Sequence, residues 1–271
     1  MTNKYEQLYL TTLAHRLASK FSAKSVVATE LSNWTEDQEL GFDWDPDIDH
    51  FKKRGIPSEV WTALQQKFSQ QQHVAGQPKA DLLARNIHAL ASHMDLNMPE
   101  ASILELAIRA ARGGPVRTLC NSLTDDARLS IEETVLALTA LEPAQVRPAL
   151  SHSGKLLMSG LVQFERGNFT GLGIVPLNRV VEAVDPPSHG LGDILARLFD
   201  PVSAPAVSWN DFEHLGAGRD FAFRLLKGAV ARREPGVNIL LHGAPGTGKT
   251  EFCKVLADQV SASLHAVGEA D

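Results

Sequence analysis

The stretch V-N-I-L-L-H-G-A-P-G-T-G-K-T-E-F-C-K-V-L-A-D-Q-V, residues 237–260, decides how the region around it folds. Val237, Ile239, Leu240 and Leu241 form a short, branched apolar run of the length expected for a buried parallel strand. Residues 243–250 then satisfy G-x-x-x-x-G-K-[ST] at every position. From Glu251 onward Phe252, Val255, Leu256 and Val260 fall at helical spacing on one face. Strand, glycine loop and helix are therefore expected in the order that a phosphate-cradling loop requires.

The chemistry accounts for each residue type. A triphosphate is densely negative, so a loop that holds it turns backbone N–H groups inward, and side chains at positions 246 and 248 would obstruct the approach. The helix beginning near Lys249 adds unpaired N–H groups and the positive end of its dipole, while the Lys249 ammonium can reach the phosphates as a point charge. Thr250 supplies a hydroxyl suited to Mg²⁺.

The loop G-A-P-G-T-G-K-T, preceded by G-V-N-I-L-L-H and followed by E-F-C-K-V-L-A, resembles the Walker A region of the AAA+ ATPases. The likeness reaches back through Ser208-Trp209-Asn210-Asp211-Phe212 and the helical stretch 220–233, and forward to 263–267, similar to that fold's second strand. The resemblance implies an α/β P-loop module over 207–271 that binds ATP and Mg²⁺ through Gly243, Ala244, Pro245, Gly246, Thr247, Gly248, Lys249, Thr250 and Glu251. It gives Lys249 and Thr250 the catalytic parts and Thr250 the metal. It further implies an ATPase in a homo-oligomer, a hexamer in this family, that remodels or moves a protein client. In the family an acidic Walker B pair and an arginine from a neighbouring subunit complete the hydrolytic site. Neither occurs before the sequence stops at Asp271, so it is expected to be the front part of a longer hydrolase. The segment ahead of the module lies along the nucleotide base in these proteins, making Asp211, His214 and Leu215 adenine-pocket candidates; packing is the simpler role for each. Arg232 and Arg233 sit before Pro235-Gly236 at a helix end, where cations suit the dipole.

Composition sets bounds. With 44% hydrophobic and 21% charged residues the 271-residue chain has an ordinary globular makeup, long enough for two or three domains with cores of their own. A net charge of −6 argues against a chain-wide footprint for nucleic acid or anionic membrane. Cys120 and Cys253 form no metal or redox spacing, which suits a reducing, cytoplasmic compartment. The polar opening with Glu6 is unlike a secretory leader, and no apolar run reaches membrane-spanning length.

Upstream, the pattern is mainly α. Residues 1–70 are expected to form a helical unit, with Leu8, Leu10, Leu13, Leu17 and Phe21 on one helix and Val60, Trp61, Leu64 and Phe68 on another begun by Pro57. Between them Asp43, Asp45, Asp47 and Asp49 alternate, but a calcium loop counted from Asp43 needs Gly sixth and Glu twelfth, where Ile48 and Arg54 stand. A solvated acidic turn and a docking surface for a basic partner remain open there. A polar linker spans 71–80, a helical and winged-helix-like domain 81–185, and a second linker 186–206.

Within 81–185, Ser130-Ile131-Glu132-Glu133 is a capping box, Pro143 opens a further helix, and strand-like runs 161–164 and 172–175 flank a Gly167-Asn168 turn. Two helices and a hairpin follow the order of a winged helix, which invites a DNA-binding reading. Residues 143–155 offer only Arg147, His152 and Lys155 as cations beside Glu142, few for a groove-reading helix, so structural or protein-docking work is favoured. The segment S-G-K-L-L-M-S-G-L, 153–161, also resembles the region preceding the ATPase in some bacterial AAA+ proteins. The rival functions are a nucleotide-gated DNA-binding regulator or loader and a nucleotide-binding scaffold that never hydrolyses.

Overall fold

The computed structural model describes residues 4–38, 40, 55–75, 81–165, 171–234 and 236–266. The acidic run 43–49, residues 76–80 of the first expected linker, the Gly167-Asn168 turn and Val267 lie outside them, while 71–75 of that linker are helical. The protein is mainly helical and divides into two compact units, Met1–Leu198 and Phe199–Asp271.

Unit one contains α1 (Lys4–Lys20), α2 (Val26–Asp37), α3 (Ser58–Ala75), α4 (Leu82–His93), α5 (Met98–Ala111) and α6 (Gly114–Asn121), which runs on into a π-helical turn, Ser122–Asp126. Then come α7 (Ile131–Leu138), α8 (Pro143–Ala149), α9 (Lys155–Met158), the strands β1 (Val162–Phe164) and β2 (Ile174–Pro176), α10 (Asn178–Val184) and α11 (Leu191–Leu198). The ends of these helices follow from local chemistry. Asn97 accepts from Glu100 N and Glu100 from Asn97 N, both at 2.9 Å, while Pro99 occupies a first-turn position where a missing N–H costs nothing. Ser130 and Glu133 close the same box on α7, and the bonds from the Ser130 hydroxyl and N–H hold the Glu133 carboxyl below the usual range.

Packing joins these helices into one core. Leu10, Leu13 and Leu17 of α1 and Trp61, Leu64 and Phe68 of α3 are buried, and the same apolar cluster continues through α4–α7 and the hairpin to Ile194. Each such Leu or Phe contributes about 1.5–3 kcal/mol by leaving water. Polar ties fix the register: Trp34 Nε1 donates to Pro115 O at 2.8 Å, and Arg16 and Lys20 of α1 donate to Leu138 O and Leu136 O at the C-terminal end of α7, where cations suit the dipole. Arg109, its side chain 6% exposed, bridges Asp81 at 3.0 Å and Glu105 at 2.9 Å and lies 4.2 Å over the Tyr9 ring. Burial, then the Glu105 charge, pushes the Tyr9 phenol up.

The hairpin expected near 161–175 is present. β1 pairs antiparallel with β2, Gln163 opposite Val175. β2 starts at Ile174, after Gly171 and Gly173 take positive φ of 83° and 71° and so delay the extended backbone. α7, α8 and this hairpin occur in the order read from the sequence, with the short α9, which that reading did not contain, between α8 and β1.

Past the hairpin, buried Asn86 of α4 secures the turn between α10 and α11. Its Nδ2 donates to Val184 O at 3.0 Å and Ser188 O at 2.7 Å, and its Oδ1 accepts from Gly190 N at 3.3 Å. Truncation would leave two buried carbonyls and an N–H without this partner, so Asn86→Ala is expected to lower the stability of unit one by about 1–3 kcal/mol. Urea unfolding followed by far-ultraviolet dichroism checks this; an unshifted midpoint would mean that water replaces the amide without loss.

Unit two holds β3 (Asp200–Pro201), a 3₁₀ segment (Trp209–Leu215), α12 (Ala217–Arg232), α13 (Lys249–Gln259) and β4 (His265–Ala266). The strand expected at 237–241 is not formed: these residues are irregular, and Leu240 is 87% exposed. A strand exists by pairing, and among the described residues no backbone ladder lies along this run. Leu241 alone of the run packs on the unit's small core. The strand expected at 263–267 appears as β4, but it pairs antiparallel with β3 and not in a parallel sheet.

Candidate functional site

The loop ahead of α13 is built from glycine conformations. Gly243, Gly246 and Gly248 have φ of 152°, 79° and 79°, and at the latter two any side chain would strain the backbone. A Cβ at Gly246 would meet nothing within 4 Å, so steric crowding within the chain does not require glycine there; the left-handed turn does. A Cβ at Gly248 would touch the Phe212 ring at 3.6 Å, an ordinary contact.

Helix α13 opens directly at Lys249, with Gly248 as its N-cap and no side-chain cap. The first-turn N–H groups of residues 249–251 have no intrahelical acceptor, and they stand beside the loop with the positive end of the dipole. Lys249 folds back across the loop, its Nζ donating to Gly243 O at 3.0 Å and Ala244 O at 2.8 Å. Thr247 Oγ1 donates to Ala244 O at 2.9 Å. Gly243, Ala244, Thr247 and Lys249 are thereby drawn together, Pro245 and Gly246 form the exposed tip, and Thr250 is exposed on the first helical turn.

Glu251 is engaged differently. Its Oε2 accepts from Ala206 N at 2.8 Å and its Oε1 from Lys254 Nζ at 2.7 Å; Lys254 Nζ also donates to Ser203 Oγ at 2.9 Å. The Lys254 bond first, then the Ala206 N–H, holds the Glu251 carboxyl below the usual range. The Glu251–Lys254 spacing is visible in the sequence. Its tie to residues 203–206 is not, because nothing local marks Ala206 as a donor.

Aromatic packing supports the loop from below. Phe252 is buried, stacked on Trp209 at 6.2 Å between centroids and set edge-on to Phe212 at 5.1 Å; Phe223 lies 5.7 Å from Trp209. The Arg219 guanidinium sits 4.9 Å over Trp209. Of the adenine candidates, Asp211 closes a capping box on Ser208, accepting from its N at 2.7 Å and Oγ at 2.9 Å. These bonds, the backbone one foremost, depress its carboxyl. The S-x-x-D spacing would have identified this box in the sequence. His214 Nδ1 lies 3.1 Å from Asp211 O, and Leu215 is half-exposed. Arg232 pairs with Glu234 at 3.0 Å, and Arg233 ends α12 with a φ of 51°.

In unit one, the three cations weighed for DNA contact have partners: Arg147 pairs with Glu132 at 2.8 Å, Lys155 with Asp95, and His152 meets the Phe164 ring at 5.5 Å. The two ion pairs are weak, but each sets a carboxylate beside a cation that a phosphate would need. Among the described residues no group of three or more His, Cys, Asp or Glu could hold a metal, and no helix is long and apolar enough to cross a membrane. Burial pushes the Cys120 thiol up to about 12 and raises that of the half-buried Cys253, which disfavours the thiolate in both.

No protein-family model matches the chain, and no significant similarity to a curated protein or a solved structure was found.

Two outcomes follow from this geometry. Gly246→Ala and Gly248→Ala are each expected to cost about 1–2 kcal/mol from the left-handed backbone, read as faster amide exchange in α13; unchanged exchange in both would show that the loop relaxes freely. Because Asp211 and Glu251 have carboxyl pKa values depressed in the folded chain, their stabilisation is complete above the unfolded carboxylate range and is lost as pH falls through the folded values. The protection factors of the Ser208 and Ala206 amides should therefore drop together on acidification below about pH 4, and protection that persists well below that range would contradict the assignment.

Proposed function

We propose that residues 243–250 form a triphosphate-binding loop and that the protein is the ATP-binding part of an AAA+-type ATPase. The observation that carries this reading is the conjunction at one helix end. Glycines at positive φ lead into an uncapped eleven-residue helix, and the first residue of that helix is a lysine whose ammonium is already held over the loop by two carbonyl oxygens. An ammonium in that position exchanges carbonyl partners for phosphate oxygens, a charge-assisted and stronger acceptor. The first-turn N–H groups are donors without side-chain competition. These features fit ATP: the loop N–H groups and Lys249 would hold its phosphates, and the exposed Thr250 hydroxyl would serve Mg²⁺, which when bound neutralises phosphate charge.

Hydrolysis belongs to this proposal only for an intact protein that supplies a water-activating acid and a partner-subunit arginine, since positioning alone omits most of the transition-state stabilisation. Oligomerisation and work on a protein client belong to it on the same footing, with the helical unit one as the partner-binding part. The pairing of Arg147 and Lys155 with carboxylates disfavours the DNA-loading alternative.

A fluorescent ATP analogue tests the reading. The wild-type chain should bind it with Mg²⁺, Lys249→Ala should weaken binding by at least about tenfold through loss of a charge-assisted contact, and Thr250→Val should diminish the Mg²⁺ dependence. Undiminished binding by Lys249→Ala, with the helical signature intact, would overturn it.

A further inference from the structure

The first turn of α13 carries two demands at once. Its N-terminal end faces the glycine loop through Lys249, while its third residue, Glu251, anchors the segment by which the chain enters unit two. That anchorage has several points. Lys254 donates to Ser203, Glu251 accepts from Ala206, and Phe252 stacks on Trp209, and these three α13 residues all lie in its first two turns. The clip is partly shielded, with the side chains of Glu251 and Lys254 27% and 14% exposed.

We propose that Glu251 and a bound polyphosphate compete electrostatically for the N-terminal end of α13, so that occupancy of the loop is read out as loosening of residues 203–206; this rests on the nucleotide reading above. The helix end favours one negative charge in its first turn, and Glu251 supplies it in the free protein. A polyphosphate placed at the same end brings further negative charge within a Debye length of the carboxylate, weakening its hold on the Ala206 N–H. Mg²⁺ reduces this repulsion without abolishing it, because MgATP retains net negative charge. Linkage makes the effect reciprocal: whatever the nucleotide does to the clip, removal of the clip's charge does in reverse to nucleotide affinity.

Two measurements on the full chain test this. Amide exchange at Ala206 should be slow in the free protein and should accelerate several-fold on saturation with the fluorescent ATP analogue and Mg²⁺. Glu251→Gln, which keeps an oxygen acceptor for Ala206 but removes the charge, should bind the analogue about threefold more tightly than the wild type, the scale of a charge at a helix end. A merely structural role for Glu251 would leave affinity unchanged or weaken it. Binding by the wild type with equal or weaker affinity in Glu251→Gln and no change at Ala206 would sink the coupling while sparing the nucleotide site. Absence of binding by the wild type would remove the site itself and this inference with it. The Ala206 measurement needs no variant, so a poorly folding substitution cannot decide the matter.

Discussion

The constraint on which unit two depends is the abrupt passage from glycine loop to helix at Gly248. A residue at φ 79° turns the chain so that Lys249 is already helical, and with no side chain at the cap the dipole end stays open. A serine or aspartate cap would have stabilised the helix by roughly 1 kcal/mol. Its absence leaves the first-turn N–H groups without a side-chain acceptor, and Lys249 turns back to the loop carbonyls. The helix is held instead from its flank, by Phe252 against Trp209 and Phe212 and by the polar clip to 203–206.

The two units are stabilised differently. Unit one draws on a long continuous apolar cluster, with its charged residues used as ties between helices, as in the Arg109 node and the Arg16 and Lys20 bonds to α7. Among the described residues, the core cluster of unit two consists of Phe212, Ala222, Phe252, Val255 and Leu256, and the unit depends more on aromatic contacts and local capping. Local opening is easier where few apolar side chains are buried.

Much of this was legible in the sequence. Helix ends with strong local signals were found: the Ser130 box, Pro143, and the apolar stripes of α1 and α3, because capping and 3.6-residue periodicity depend on near neighbours. The glycine turn over 243–248 and the helix start near Lys249 were legible for the same reason. The run 237–241 was misread as a strand, since apolar branching tells only what a segment can pack against and not whether a ladder lies beside it. Glu251 was grouped with the loop by its place after Thr250, but its partners are Ala206 and Lys254, and Ala206 lies forty-five positions away with no side-chain signal of its own.

The case of Asp211 makes the general point about candidate residues. Its position suggested a base-contacting role, but packing is the simpler one, and its Oδ2 accepts from both the Ser208 hydroxyl and N–H to cap the 3₁₀ segment. Lys249 differs in kind. Its partners are the carbonyls of Gly243 and Ala244 in the adjoining loop, not the backbone of a helix end. On the nucleotide reading proposed above, those carbonyls would border the bound phosphate, and the lysine would exchange its contacts there without undoing a helix end.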